Sequence, residues 1–134
     1  MRFPEHLQPG GTIGFLAPSF GCATEPYKTA FLQARENFKG GGYRLLDGPN
    51  CYVSQGIGIS NTPEKCGAEV MEMFASAADI LISCGGGELM CEILPYVDFD
   101  RLAQQEPKWF MGYSDNTNLT YLLATLSDTA SVYG

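Results

Sequence analysis

Short apolar runs alternate with helical patterns along this chain, and this alternation limits its fold more than any other feature. The first run, Thr12–Ala17, stops at Pro18-Ser19, which predicts a buried strand followed by a loop. Similar runs predict strands at Tyr43–Leu46, Asp79–Ser83, Trp109–Tyr113 and Ser131–Tyr133. Because helical segments separate the strands, we expect an α/β fold with an open, mostly parallel sheet and helices on both faces.

The helices are predicted from apolar residues that recur every three or four positions. The first lies before the glycines 40–42, and the second begins at Pro63 with Thr62 as its cap. A short helix is expected in 88–97 and a longer one in 115–126. The expected buried faces are Tyr27, Phe31, Ala34 and Phe38 in the first helix, Cys66, Val70, Met73 and Phe74 in the second, and Leu119, Leu122, Leu123 and Leu126 in the last.

The negative net charge argues against two classes of partner. The 134 residues suffice for one domain, and eight Lys and Arg against fifteen Asp and Glu give a net charge of −7. Such acidity argues against nucleic acid and anionic membranes as partners. No stretch approaches the roughly 20 apolar residues of a membrane span, and the N-terminal sequence lacks the apolar core of a signal peptide. The expected location is therefore cytoplasmic.

Cysteine and histidine content argues against a metal site. The five cysteines are an odd set without C-x-x-C spacing, as expected for reduced and mostly buried thiols of a cytosolic protein. His6 is the only histidine and lies in a leader before the first strand. Because zinc sites need closely spaced Cys or His ligands, we expect no metal here.

The sequence contains two glycine motifs, one within a loop and one between a predicted strand and a predicted helix. Gly56-x-Gly58 lies in loop sequence and lacks the third glycine of a dinucleotide fingerprint, so we interpret both as loop glycines. Gly85–Gly87 instead follows a predicted strand and precedes a predicted helix, where α/β sheets bind ligands. Local sequence leaves two interpretations open: backbone amides presented to an anion, or a tight turn that needs positive φ.

Ser114 occupies the same kind of position one strand later, within Gly112-Tyr113-Ser114-Asp115. A serine on a sharp strand-to-helix turn is typical of a nucleophile elbow, although Asn116 replaces the last glycine of G-x-S-x-G. Local sequence alone favours the simpler interpretation, in which Ser114 or Asp115 caps a helix. A Ser-His-acid triad cannot be assembled, because His6 precedes the first strand.

The order of the motifs is more specific than any one of them. "GGTIGFLAPS", "EVMEMFASAADILISCGGG", "ILPYVDFD", "PKWFMGYSDNTNL" and a final "VYG" together resemble the LD-carboxypeptidase family, most strongly from Glu69 to Gly134. This family includes the murein tetrapeptide carboxypeptidases and the microcin immunity peptidases. The resemblance implies a flavodoxin-like or class I glutamine amidotransferase-like sheet, no metal, no cofactor, a cytoplasmic location and a possible homodimer.

The resemblance also implies roles for individual residues. Ser114 corresponds to the nucleophile, and the backbone amides of Asp115, Gly86 and Gly87 correspond to the oxyanion hole. The catalytic Glu and His of the family lie in a C-terminal domain that follows the region matching Gly134. Residues 1–134 are therefore expected to be the N-terminal nucleophile-bearing domain, inactive alone, with its own C-terminal domain as a partner.

Three functions are left open by these motifs. The resemblance implies a serine peptidase that cleaves an L-to-D peptide bond and releases terminal D-Ala from murein tetrapeptide in peptidoglycan recycling. One alternative is a microcin-immunity-type hydrolase of peptidyl or aminoacyl nucleotide antibiotics. The other is a non-catalytic ligand-binding module. The glycine loop, G-G-G-E-L, does not decide between a murein peptide and a related small-molecule substrate.

Overall fold

A five-stranded, all-parallel sheet organises the protein. The computed structural model describes residues 1–55 and 57–134, so Gly56 of the Gly56-x-Gly58 motif lies outside the described residues. The strands are β1 (Thr12–Leu16), β2 (Arg44–Asp47), β3 (Ile80–Ser83), β4 (Trp109–Gly112) and β5 (Val132–Tyr133). Their order, β2-β1-β3-β4-β5, is that of flavodoxin-like folds. The fold class expected from the sequence is confirmed.

Helices connect successive strands, because parallel strands need a crossover connection. They are α1 (Tyr27–Gly40), α2 (Pro63–Ala75), α3 (Phe99–Gln104) and α4 (Thr117–Leu126), with 3₁₀ helices at Met90–Tyr96 and Ser114–Asn116. Thr62 caps α2 as predicted, because its Oγ1 accepts a hydrogen bond from Lys65 N at 3.5 Å. No helix in the described part of the chain is both long and apolar enough to cross a membrane.

The core is divided between the two faces of the sheet. One face packs against α2, α3 and α4, and its buried residues include Val70, Leu81, Leu102, Phe110 and Leu119. The other face packs against α1 around Ile13, Phe15 and Phe31. Alternate residues of each strand point to opposite faces, which explains why Leu81 and Phe110 belong to the first cluster and Ile13 and Phe15 to the second.

Several helix predictions need correction. The segment expected to be one short helix is the 3₁₀ helix Met90–Tyr96, and α3, which the sequence analysis missed, follows it. Asp98 caps α3 by accepting a hydrogen bond from Arg101 N at 2.9 Å, a start signal that was present in the sequence. Leu126 and Tyr27, both predicted to face inward, are 55% and 54% exposed, because Leu126 is the last residue of α4 and Tyr27 is the first residue of α1.

A buried carboxylate supports the loops above β1 and β2. Glu69 of α2 is only 1% exposed. Its two oxygens accept hydrogen bonds from Ala17 N at 3.0 Å and Asn50 N at 2.9 Å. Burial raises the pKa of this carboxyl, although the two amide bonds oppose the change.

Part of the α1 face is not covered by a helix within the described residues. Met111 is 37% exposed, and Ile82, Trp109 and Val132 beside it are half-buried. The N-terminal leader covers one end of this surface, where Phe3 and His6 contact the Trp109 ring at 6.4 Å between centroids. We call the remaining apolar surface, formed by Ile80, Ile82, Met111 and Val132, the open sheet face.

Candidate active site

Ser114 lies immediately after β4 in a backbone conformation that L-residues rarely adopt. Its φ angle is +58°, in the left-handed region, which costs a non-glycine residue roughly 1–2 kcal/mol. The 3₁₀ turn Ser114–Asn116 then leads directly into α4. Ser114 is exposed, so the chain turns sharply at a solvent-accessible serine. The strained backbone that a nucleophile elbow requires is therefore present at Ser114, and the nucleophilic role of this serine stays a prediction.

The glycine loop after β3 contacts this serine directly. A Cβ placed on Gly86 would lie 2.6 Å from the Ser114 Cβ and 3.3 Å from its Oγ. Because β3 and β4 are neighbouring parallel strands, their following loops meet at one edge of the sheet. The sequence prediction that Gly86 and Ser114 share this edge is confirmed.

The Asp115 carboxylate fastens three segments together. Its oxygens accept hydrogen bonds from Ser19 Oγ at 2.7 Å, Gly87 N at 2.7 Å and Met90 N at 3.1 Å. Bonds to a charged acceptor are stronger than neutral ones. The side chain therefore fixes the glycine loop to the elbow and to the loop that follows β1.

One predicted oxyanion donor already has a partner within the protein. The Gly87 amide is occupied by Asp115 Oδ1, so it is not free to bind a substrate oxygen in this conformation. The amides of Gly86 and Asp115 make no hydrogen bond to other described residues. These two amides stay the candidate donors, and Gly87 instead positions the loop.

Asn116 lies where the G-x-S-x-G motif has its last glycine, and its side chain connects two loops of the site. Its side chain is completely buried, and Nδ2 donates to Gly85 O at 3.0 Å and to Tyr113 O at 2.9 Å. The amide thereby joins the backbone of the glycine loop to that of the elbow. The missing final glycine in the sequence motif is replaced here by a side chain with a positioning role.

A small cavity opens beside the two loops. Its volume is about 140 Å³, and it is lined by Phe20, Cys22, Tyr27, Cys84, Gly85, Gly86 and Tyr113. Phe20 and Tyr27 meet edge to face, 5.2 Å apart, along one wall. A larger groove of about 320 Å³ adjoins it between α1 and β3. The edge therefore offers room for a ligand next to Gly86.

The described residues place no base on the serine. The Ser114 hydroxyl makes no hydrogen bond to any of them, and its backbone amide donates to Tyr133 Oη at 3.3 Å. His6 stacks on Trp109, at the opposite end of β4 from Ser114. The sequence-based conclusion that His6 cannot complete a triad agrees with this position. No group of three metal-ligating side chains was found among the described residues.

Sequence reasoning missed Ser19 and assigned Asn116 no role. Ser19 follows β1 in Ala17-Pro18-Ser19, and its hydroxyl donates to the Asp115 carboxylate. Its place after a strand, at the edge shared with Ser114, was the signal that could have identified it. The burial of Asn116 has no such signal, because it depends on how the two loops pack.

Comparison with known proteins assigns the family. Residues 13–134 match the LD-carboxypeptidase N-terminal domain, so the chain belongs to the LD-carboxypeptidase family and represents its N-terminal domain. The resemblance stated from the motifs is therefore confirmed. A comparison with curated proteins found no match.

Solved structures share the fold. The microcin C7 self-immunity protein MccF, in complex with glutamyl sulfamoyl guanosine, is 26% identical with a TM-score of 0.86, over 96% of this chain and 38% of MccF. A muramoyltetrapeptide carboxypeptidase from Oxalobacter formigenes is 25% identical with a TM-score of 0.67, over 90% of this chain and 38% of that protein. The chain thus spans less than two-fifths of these proteins.

Proposed function

We propose that residues 1–134 form the nucleophile-bearing half of a serine peptidase, in which Ser114 attacks the carbonyl of an L-to-D peptide bond. The observation that carries this proposal is the pairing of a serine at φ +58° with a glycine whose Cβ would collide with it. The backbone is strained at Ser114, and the second loop can approach this serine closely because its contacting residue, Gly86, has no side chain. Such strain concentrates at functional sites, and a helix cap would not need it.

The two free amides supply the electrostatic part of the mechanism. As the carbonyl becomes tetrahedral, negative charge develops on its oxygen, and the amides of Gly86 and Asp115 donate hydrogen bonds to it. One such donor is worth about 3 kcal/mol in serine hydrolases. The Asp115 carboxylate holds the glycine loop in place through Gly87, so the donors are positioned before the substrate binds.

The proton of the Ser114 hydroxyl must go to a base. A serine is a weak nucleophile until a neighbouring group accepts its proton. The family resemblance places this base, a His supported by a Glu, in a C-terminal domain. We propose that this domain follows Gly134 and completes the cleft, and that residues 1–134 alone turn over negligibly. An active-site mutant of MccF replaces a serine, an asparagine and a lysine with alanine, which supports serine-dependent chemistry in this family.

Two substrate classes fit this site. The first is murein tetrapeptide, with release of terminal D-Ala in peptidoglycan recycling, supported by the similarity to a muramoyltetrapeptide carboxypeptidase. The second is a peptidyl or aminoacyl nucleotide, supported by the higher TM-score of the MccF complex with glutamyl sulfamoyl guanosine. Both require acyl transfer to a serine, so Ser114 and its oxyanion donors have the same roles in each.

The proposed location and partner follow from two structural features. All five cysteines are free thiols, which supports a reducing compartment such as the cytoplasm. The open sheet face supports a further element of the same protein, because in this strand order α1 alone does not cover the whole face. We propose that polypeptide following Gly134 covers Ile82, Met111 and Val132.

The test is an assay of the protein extended through the reading frame that follows Gly134. Murein tetrapeptide and an aminoacyl sulfamoyl nucleoside are each incubated with this protein, and the products are identified by mass spectrometry. We expect one of the two to be hydrolysed, no turnover by residues 1–134, and loss of turnover in Ser114→Ala with an unchanged circular dichroism spectrum. Hydrolysis of neither substrate, or full activity of Ser114→Ala, would contradict the proposal.

A further inference from the structure

Three of the five cysteines converge beneath the glycine loop. Cys22 N donates a hydrogen bond to Cys51 O at 2.7 Å, and the Cys22 thiol lies 3.7 Å from Cys84 O. The Cys51 thiol donates to Phe15 O at 3.3 Å, on the strand next to β3. The loops after β1, β2 and β3 thus bring these thiols together, although they are far apart in sequence.

Two of these thiols line space that a small reagent can enter. Cys22 and Cys84 both line the 140 Å³ cavity and the neighbouring groove of about 320 Å³. A water-sized molecule occupies about 30 Å³ in the liquid, so the smaller cavity has room for a peroxide. Cys51 is completely buried and lines neither space. A small reagent can therefore reach Cys22 and Cys84 but not Cys51.

We propose that Cys22 and Cys84 are a peroxide-sensitive thiol pair that closes to a disulfide beside the glycine loop. This inference rests on the cluster and the cavity, and does not depend on the peptidase function of Ser114. In a reducing compartment such a disulfide is transient, as is typical of cytosolic redox sensing.

The chemistry needs one equivalent of hydrogen peroxide. The Cys22 thiolate attacks one peroxide oxygen, the O–O bond breaks, and hydroxide leaves with a proton as water. This gives a sulfenic acid at Cys22. The Cys84 sulfur then attacks the Cys22 sulfur, the S–O bond breaks, and the hydroxyl leaves with the Cys84 proton as a second water. Each sulfur loses one electron, and the peroxide gains both.

The order of the two steps follows from the different surroundings of the two thiols, which lie close together in the cluster on the α1 face of the sheet. The Cys84 side chain lowers the pKa of the Cys22 thiol, against the opposing effect of burial. The same contact raises the pKa of Cys84, with further contributions from Cys51 and from burial. Because the thiolate is the nucleophile, Cys22 reacts first and Cys84 resolves the intermediate. Burial raises the pKa of Cys66, which lies outside the cluster.

A disulfide here would act on the candidate active site through one residue. Cys84 directly precedes Gly85, whose carbonyl accepts from Asn116 Nδ2 at 3.0 Å. The cross-link would tie this loop to the segment after β1 and fill the floor of the cavity beside Gly86. Oxidation would therefore narrow the space next to Ser114.

The test uses the 134-residue protein with Cys91→Ser, which removes the exposed thiol and prevents cross-linking between molecules. After treatment with hydrogen peroxide, we expect the intact mass to fall by two hydrogen atoms and peptide mapping to find a Cys22–Cys84 link. Dithiothreitol should restore the mass. Cys22→Ser and Cys84→Ser should each abolish the link, whereas Cys51→Ala should retain it.

A second measurement keeps the test decisive if a serine variant fails to fold. In the protein without those substitutions, limited iodoacetamide should alkylate Cys22 before Cys66, as quantified by mass spectrometry. Earlier labelling of Cys66, a disulfide between another pair, or peroxide products without any disulfide would each overturn the proposal.

Discussion

A Cβ added to Gly86 would lie 2.6 Å from the Cβ of Ser114, closer than side-chain carbons approach in proteins. The glycine loop and the elbow are therefore fitted to each other. We predict that Gly86→Ala pushes the loops apart and lowers the free energy of unfolding of the 134-residue chain by about 1–3 kcal/mol, as overpacking does. Urea denaturation followed by circular dichroism measures this change.

Gly40→Ala is the matched control for this prediction. Gly40 is the last residue of α1, and apart from its chain neighbours and the backbone of α1, no described atom lies within 4 Å of the position a Cβ would occupy there. Alanine should leave stability unchanged or raise it by up to about 1 kcal/mol, because it favours the helix. Equal effects of the two substitutions would show that the contact between Gly86 and Ser114 has no energetic weight.

The strain at Ser114 is testable without any substrate. At φ +58°, glycine is free of the steric cost that serine bears, whereas alanine is not. We therefore predict that Ser114→Gly is more stable than Ser114→Ala by about 1 kcal/mol. Thermal and urea unfolding of the two variants give this difference directly. If Ser114→Ala is the more stable of the two, the serine does not sit in a strained turn.

The Asp115 carboxylate should stabilise the site through its charge and its three donors. In Asp115→Asn one oxygen becomes an NH₂ group, which faces amides or a hydroxyl that already donate. We predict a loss of about 2 kcal/mol, the scale for hydrogen bonds to charged groups. Glu88→Gln, a change of an exposed carboxylate in the glycine loop that Asp115 contacts, should alter stability by less than about 0.5 kcal/mol. Similar losses in both variants would reject the positioning role of Asp115.

Glu69 should make stability depend on pH. Burial raises the pKa of this carboxyl in the folded state, so the folded protein holds its proton more tightly than the unfolded chain does. The contribution to stability is fully present below the unfolded carboxyl pKa of about 4.3 and is lost as pH rises through the higher folded value. We predict that the natural protein loses unfolding free energy relative to Glu69→Gln as the pH rises through this window. If the unfolding free energies of the two proteins change in parallel with pH, this prediction is contradicted.

Much of the architecture followed from local patterns, because strand and helix periodicity depend on neighbouring residues. The five strands, the cap at Thr62 and the shared edge of Gly86 and Ser114 were all predictable in this way. The buried stripe of α2 was predictable too, since Val70, Met73 and Phe74 recur at helical spacing and lie on the sheet. The family assignment needed the order of several motifs, and no single motif provided it.

The details of the site could not be predicted, because they depend on contacts between loops distant in sequence. Asp115 accepts from Ser19, 96 residues away, and its bond to Gly87 removes an amide that the family pattern assigned to the oxyanion hole. The meeting of Cys22, Cys51 and Cys84 is likewise a consequence of parallel strand order, which brings successive loops to one edge.

Trapping the acyl-enzyme tests whether Ser114 is the nucleophile. The protein extended beyond Gly134 is mixed with a substrate that it hydrolyses, quenched rapidly in acid, digested and analysed by mass spectrometry. We predict an acyl group on the peptide that contains Ser114, and none in the Ser114→Ala variant or on residues 1–134 alone. An acyl group on a different residue, or one that persists in Ser114→Ala, would show that Ser114 is not the nucleophile.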